Sequence, residues 1–195
     1  MKKISIAVLL SAFVAAPAMA DNTGKFYVAG DYGSVSFENS MPSGFGGSPF
    51  PNSGAVRISG GYHFSPMLAV EAGYLMIGDS TVKYNTYSDT TKNSALQIAA
   101  VGTFPVTPAF DLIGKLGMSM NSNKLSDTLG VWNSSTSSTS LMFGIGAQYN
   151  VNKKVSIRAQ YEDFGKFTTN DGPIPPVRSW DMGVSMVSVG VAYKL

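Results

Sequence analysis

The sequence predicts an all-β protein, an eight-stranded antiparallel up-and-down transmembrane β-barrel. Three observations lead there. Eight segments alternate apolar and polar residues at period two, and no helical period appears after the first twenty residues. The connections between these segments alternate strictly between short and long. Large apolar side chains fall on one parity and small or polar ones on the other, as in a lipid-facing barrel whose narrow lumen is filled by its own side chains.

Residues 1–20 are expected to be a cleaved secretory signal, leaving 21–195 as the barrel domain. Met1-Lys2-Lys3 is a positive start, Ile4 to Val14 an apolar run, and Ala18-Met19-Ala20 a small-residue cleavage site before Asp21. The apolar run is shorter than the ~20 residues of a spanning helix. With Lys2 and Lys3 removed, 12 basic residues face 12 acidic ones. That balance provides no field to attract nucleic acid. The chain has no cysteine, which excludes a disulfide framework and thiolate chemistry. Only 13% of its residues are charged, and the mean hydropathy is slightly positive, which is unusual for a soluble exported domain.

The eight segments are expected near Lys25–Phe37, Ser53–Phe64, Met67–Ile77, Asn93–Phe104, Ala109–Met120, Thr139–Asn150, Val155–Phe164 and Ser179–Leu195. Each supplies the roughly 9–11 residues a tilted membrane strand needs. Ser65-Pro66, Pro105–Pro108 and Val151–Lys154 read as tight turns. Glu38–Asn52, Gly78–Lys92, Asn121–Ser138 and Gly165–Arg178 read as long loops rich in Gly, Pro, Ser, Thr and Asn. Strict alternation places all four loops at one end, outside the cell, and the turns in the periplasm. Strands one and eight keep their parity imperfectly, so bulges or extensions beyond the membrane are expected there. Ser134–Ser140, an unbroken Ser/Thr run, reads as mobile, solvated loop.

The stretch Met67–Gly78 is almost wholly apolar except for Glu71. Three readings are open for that carboxylate: a catalytic acid, a paired core charge, or a residue on the wet face of a sheet. Leu68, Val70, Ala72, Tyr74 and Met76 share one face, with Ala69, Glu71, Gly73 and Leu75 on the other. The other segments divide alike, Ile157, Ala159 and Tyr161 against Arg158, Gln160 and Glu162 for example. The inner set throughout is read as small or polar. Phe26, Tyr62, Phe64, Phe104, Phe110, Tyr149 and Tyr193 all fall near the short-turn end, as an interfacial girdle would. Tyr74, Tyr161 and Trp180 are candidates for a thinner outer girdle.

The run Gly60-Gly61-Tyr62-His63-Phe64-Ser65-Pro66-Met67-Leu68-Ala69-Val70-Glu71-Ala72-Gly73-Tyr74 resembles the second hairpin of the OmpA/OmpX-like eight-stranded outer-membrane barrels, a family that includes opacity and porin-like surface proteins. Phe104–Pro108 followed by Leu116-Gly117 resembles the next turn, and Gly144–Tyr149 and Arg158–Tyr161 resemble strands six and seven. Tyr193-Lys194-Leu195 resembles the terminal assembly signal, with Leu195 where the family usually ends in Phe. The resemblance covers the whole mature chain. It implies a Gram-negative outer-membrane location, contact with outer-membrane lipid, and insertion by the barrel-assembly machinery. Because the sequence stops at strand eight, the peptidoglycan-binding domain of longer relatives is expected to be absent.

The resemblance also implies a lumenal Glu–Arg pair that blocks the water path. Glu71 and Arg158 stand at similar heights on strands three and seven, which face each other across an eight-stranded ring. Other polar members of the family's network appear here as Val101 and Gln148, so a simpler gate is expected. Asp31, Arg57, Asp111, Lys115 and Glu162 supply further lumen charges, with Lys115 the next candidate partner for Glu71.

His63 and Ser65 superficially resemble the His-x-Ser of lipid A deacylases, but they fall at the periplasmic turn, the wrong leaflet for that substrate. No phosphate loop, metal cluster or nucleic-acid motif is present, and no cofactor is expected. Phe45, Phe50 and Trp132 in the loops are candidate surface contacts. The reading is a monomeric, non-enzymatic integral outer-membrane protein, structural, adhesive or host-contacting through its loops. A narrow channel for small solutes or ions is the alternative, and a lipid-modifying barrel enzyme the third.

Overall fold

The structure, a computed structural model, describes residues 23–39, 52–83, 88–127, 134–170 and 179–195. Eight strands form one closed sheet: β1 Lys25–Asn39, β2 Ser53–His63, β3 Leu68–Lys83, β4 Ser88–Thr107, β5 Phe110–Asp127, β6 Ser134–Asn150, β7 Val155–Asn170 and β8 Ser179–Lys194. Each strand is antiparallel to the next, and β8 returns to β1 in unbroken register from Tyr27↔Lys194 to Asn39↔Met182. Closure matters because lipid offers no partner to an unpaired backbone edge. The expected signal at 1–20, the loop residues Phe45, Phe50 and Trp132, and the side chain of Trp180 lie outside the described residues.

The short-turn end is tied by side chains that accept backbone hydrogen bonds. The Ser65 hydroxyl accepts from the amides of Met67 (3.3 Å) and Leu68 (3.0 Å). Asn152 Oδ1 accepts from the amides of Lys154 and Val155, both at 2.8 Å. These side chains supply acceptors where the chain reverses too sharply to pair with itself. The last residue is held as well, the Leu195 amide donating to the Phe26 carbonyl at 2.9 Å.

At the other end the strands outrun their sequence signal. β3 continues past Ile77 to Lys83, β4 begins at Ser88, β5 runs on to Asp127 and β7 to Asn170. Ser134–Ser140 is a correction to the sequence reading: it is strand rather than loop, paired from Leu125↔Ser134 to Ser119↔Ser140. Polar residues with no apolar alternation give no periodic signal, yet an existing ladder extends through them by adding one backbone pair at a time. Of the bulges or extensions expected at strands one and eight, β1 shows an extension, running on to Asn39 paired with Met182, and the β7–β8 pairing carries a bulge. Register shifts fall between Ile77 and Ser80, Pro105 and Thr107, and Asp163 and Lys166, whereas both pairings of β1 are continuous. At the β7 bulge Gly165 takes a φ of 71°, a left-handed backbone suited to glycine. Its amide donates to Asp163 Oδ1 at 2.7 Å.

The outer wall is a belt of exposed apolar side chains contributed by every strand, such as Tyr32, Ile58, Val70, Ile98, Leu116, Leu141, Ile157 and Val189. In water such a belt would be untenable; in a bilayer it is the solvated surface. Phe26, Tyr62, Phe64, Phe104, Phe110, Tyr149 and Tyr193 lie at its short-turn edge. Phe26 and Tyr62 stack at 4.8 Å, and Lys154 Nζ sits 5.8 Å over the Tyr193 ring.

The inner wall carries more large apolar residues than the mostly small or polar lining read from the sequence. Leu75, Ile77, Met142 and Phe164 point inward and are buried together with Val35, Val184 and Met186. In Leu75-Met76-Ile77 and Leu141-Met142-Phe143 both faces are apolar, so alternation cannot separate them.

Candidate functional site

Six charged side chains from five strands meet at mid-height in the lumen and form a closed, alternating ring. Asp31 on β1 accepts from Arg57 Nε on β2 (2.9 Å) and from Arg158 Nε and Nη2 on β7 (both 2.7 Å). Arg57 Nη1 also donates to Glu162 on β7. Glu162 Oε1 accepts from Lys115 Nζ on β5 at 3.2 Å. Lys115 then reaches Glu71 Oε1 on β3 at 2.7 Å. Arg158 Nη1 donates to Glu71 Oε2 at 2.8 Å, which closes the cycle. Every acid lies between two bases and every base between two acids, so the ring is neutral.

The arrangement answers the cost of placing charge inside a barrel. Each of the six is no more than 5% exposed, and an isolated buried charge costs several kcal/mol after relaxation. Two opposite partners per charge, together with neutral donors and acceptors, offset that penalty. Tyr27 Oη donates to Glu71 Oε2 at 2.8 Å, Arg158 Nη2 to Ser59 Oγ at 3.0 Å, and Arg57 Nη1 to Gln97 Oε1 at 3.4 Å.

Glycines on the same inner wall make the room. A Cβ at Gly190 would overlap Asp31 Oδ1 and the Gly30 carbonyl, and one at Gly61 would enter the Tyr27 ring. An eight-stranded lumen leaves little more than side-chain space, so long charged chains from one strand need absent ones on another.

The Glu71–Arg158 pair read from the sequence is therefore one link of six, and Lys115 is a second partner of Glu71. Asp31, Arg57 and Glu162 complete the ring, but Asp111 does not belong to it. It lies nearer the turns, where Asn150 Nδ2 (2.7 Å) and Gln148 Nε2 (3.4 Å) donate to it. The expectation of a simpler gate is corrected as well. Val101 and Gln148 are outside the ring, and Lys115, Arg57 and Glu162 make it larger than a pair. Sequence parity places Ser59 and Gln97 on the inner wall without showing that they bond to the ring, and it missed Tyr27. Tyr27 was visible in principle, because its parity in β1 matches Asp31 rather than the girdle residue Phe26.

Below the ring a cavity of about 380 Å³ opens toward the turns, lined by His63, Thr103, Asp111, Ser156 and Lys194 among others. Its wall mixes these polar groups with Val101, Ile113 and Ala192, and it is roomy enough for water. The His63 ring packs on Tyr27 at 5.1 Å, while the Ser65 hydroxyl is engaged by turn amides. The two do not form a base–hydroxyl pair of the kind nucleophilic catalysis needs. Among the described residues no cluster of metal-ligating side chains forms.

Residues 6–194 match the family model described as the outer membrane protein beta-barrel domain. The chain belongs to that family. Its location is thus the outer membrane of a Gram-negative cell, where lipid surrounds the exposed apolar belt. Outer membrane protein A of Klebsiella aerogenes is 30% identical over 205 residues, covering all of this chain and 55% of that protein. The chain spans about half the length of the curated relatives it matches. Two solved barrels share the fold. Neisserial surface protein A has a TM-score of 0.65 at 20% identity, covering 87% of this chain and 97% of that one. Ail, the attachment invasion locus protein of Yersinia pestis, was solved with the heparin analogue sucrose octasulfate. Its TM-score is 0.59 at 18% identity, covering 89% of this chain and 99% of that one.

Proposed function

We propose that this is a non-enzymatic, monomeric surface protein whose barrel is a closed membrane anchor and whose four long connections face the cell exterior, with a structural, adhesive or host-contact role. The observation that supports the reading is the ring: six mutually paired, buried charges occupy the lumen between the described strands. The engagement of Ser65 by its own turn argues against lipid-modifying chemistry at His63. Relatives named for surface display and attachment favour outward-facing work by the connections at 40–51, 84–87, 128–133 and 171–178. Phe45, Phe50 and Trp132 are the side chains proposed to make contact. Tyr193 and Leu195, exposed at the periplasmic rim, are proposed to be read by the barrel-assembly machinery.

The test combines topology, conductance and binding. Tags at 128–133 should label on intact cells and tags at Pro105–Pro108 should not. The purified barrel should migrate differently before and after boiling and should pass no current in planar bilayers. Cells carrying the protein should bind host cells or extracellular matrix, and trimming 40–51 or 128–133 should abolish that binding. Steady conductance together with binding unaffected by trimming would replace this reading with the narrow channel.

A further inference from the structure

Above the ring, on the side of the long connections, the inner wall turns apolar. Two inward positions beyond Asp31 and Glu71 stand Val35 and Leu75; one inward position beyond Arg57 and Glu162 stand the small Ala55 and Phe164. Met142, Val184 and Met186 enter at the same level from β6 and β8. Val35, Leu75 and Phe164 are 0% exposed, and Met142, Val184 and Met186 are 1% exposed, so solvent does not reach this layer from either mouth. The polar groups at this level bond to one another rather than lining a path. Ser119 Oγ donates to Asn121 Oδ1 (2.6 Å), Asn121 Nδ2 to Ser140 Oγ (3.0 Å), and Ser140 Oγ to the Phe164 carbonyl (2.5 Å).

We infer that the barrel is closed by two barriers in series, and that the layer of Val35, Leu75, Met142, Phe164, Val184 and Met186 seals it when the charged ring is opened. The two barriers work by different physics. The ring blocks by filling the lumen with paired charge, which water, ions or a charge-neutralising substitution can loosen. The apolar layer blocks by dewetting: an ion entering it would lose hydration with nothing to replace it. No titration or salt change acts on those six side chains. Substitutions confined to the ring therefore leave the protein non-conducting, although they remove the part that looks most like a gate. The inference rests on the closed-barrel reading for its baseline.

Two experiments test it, and the second does not depend on current. In planar bilayers, four barrels are compared: wild type, a ring variant (Glu71→Gln with Arg158→Gln), a layer variant (Leu75→Ser with Met142→Ser), and all four changes together. Heat-modifiable migration first establishes that each has folded. Wild type, ring variant and layer variant should be silent, and the combined variant should conduct at least tenfold above them. A ring variant that conducts as well as the combined one would overturn the inference, and so would a silent combined variant. Conductance already present in wild type would sink the closed-barrel reading itself. Because the chain has no cysteine, single substitutions can then be probed with a small water-soluble thiol reagent added to both sides of the membrane. Thr103→Cys in the lower cavity should react at least 100-fold faster than Leu75→Cys or Met142→Cys. Similar rates would show the layer is wet and would overturn the inference even if every barrel were silent.

Discussion

The two halves of this barrel, on either side of the charged ring, hold themselves together differently. Toward the turns the lumen is hollow and of mixed lining, with the 380 Å³ cavity beside Asp111, Lys194, Val101 and Ile113, and the backbone reversals are fixed by Ser65 and Asn152. Toward the long connections the lumen is dry and filled, while the strands climb beyond the lipid belt as polar ladders such as Ser134–Ser140 against β5. Where water reaches, specificity comes from paired charge and directional hydrogen bonds. Where it does not, shape and apolar contact suffice. The difference also explains why substitutions in the two halves should behave unlike one another.

The largest loss is expected for Arg158→Ala, at the junction of the halves. Its guanidinium serves Asp31 and Glu71 together, and removing it leaves two buried carboxylates with one cation each. Unfolding by urea in lipid vesicles should show a loss of about 3–5 kcal/mol, the range for breaking a buried ion pair. A loss under about 1 kcal/mol would mean water has already screened the ring, erasing the contrast with the outward half. Next comes Leu75→Ala in the dry layer, at about 2–4 kcal/mol, since a packed site that cannot collapse keeps its cavity. This variant should leave Lys115 and Glu71 paired, and therefore be insensitive to salt.

A double-mutant cycle sharpens the contrast further. Glu71→Ala alone leaves Lys115 and Arg158 with one acid each, and Arg158→Ala alone leaves Asp31 and Glu71 with one base each. Together they remove one acid and one base and restore the neutral count. The combined loss should fall short of the sum by about 1–3 kcal/mol. Strictly additive losses would show that the direct Glu71–Arg158 link contributes little beside the Lys115 contact.

The same two halves differ in how much the sequence disclosed. The strand ends beside Ser65-Pro66 and Val151–Lys154 were legible because those turns interrupt clear alternation. Pro105–Pro108, read as a turn, is a correction: β4 runs through Pro105 to Thr107 across a register shift, and only residues 108–109 turn. The ring charges stood out because each interrupts an apolar context at inward parity. Their cyclic order did not stand out: it depends on strand stagger, which lets Lys115 on β5 meet both Glu71 on β3 and Glu162 on β7. Of the dry layer, Leu75 fell on the inward face with Glu71, but the rest was not legible as a layer, since Leu141-Met142-Phe143 is apolar on both faces. The polar ladder of β6 carries no periodic contrast at all.

The smallest expected effects come from one substitution made at both ends. Ser65→Ala removes a hydroxyl that accepts two backbone amides, at 3.3 and 3.0 Å. Those amides sit at the rim where the chain reverses, so losing their acceptor should cost about 1 kcal/mol, as a net hydrogen bond does. Ser137→Ala keeps its backbone partnership with Ser122, and its side chain is exposed. Its cost should lie within about 0.5 kcal/mol of zero, as for surface substitutions generally. Urea unfolding of the two variants beside wild type measures the difference directly. Equal losses would mean that the ladder of β5 and β6 depends on its side chains, not only on its backbone pairs. The outward half would then be built on the same directional bonds as the turn half, and the contrast between them would fail where it is easiest to test.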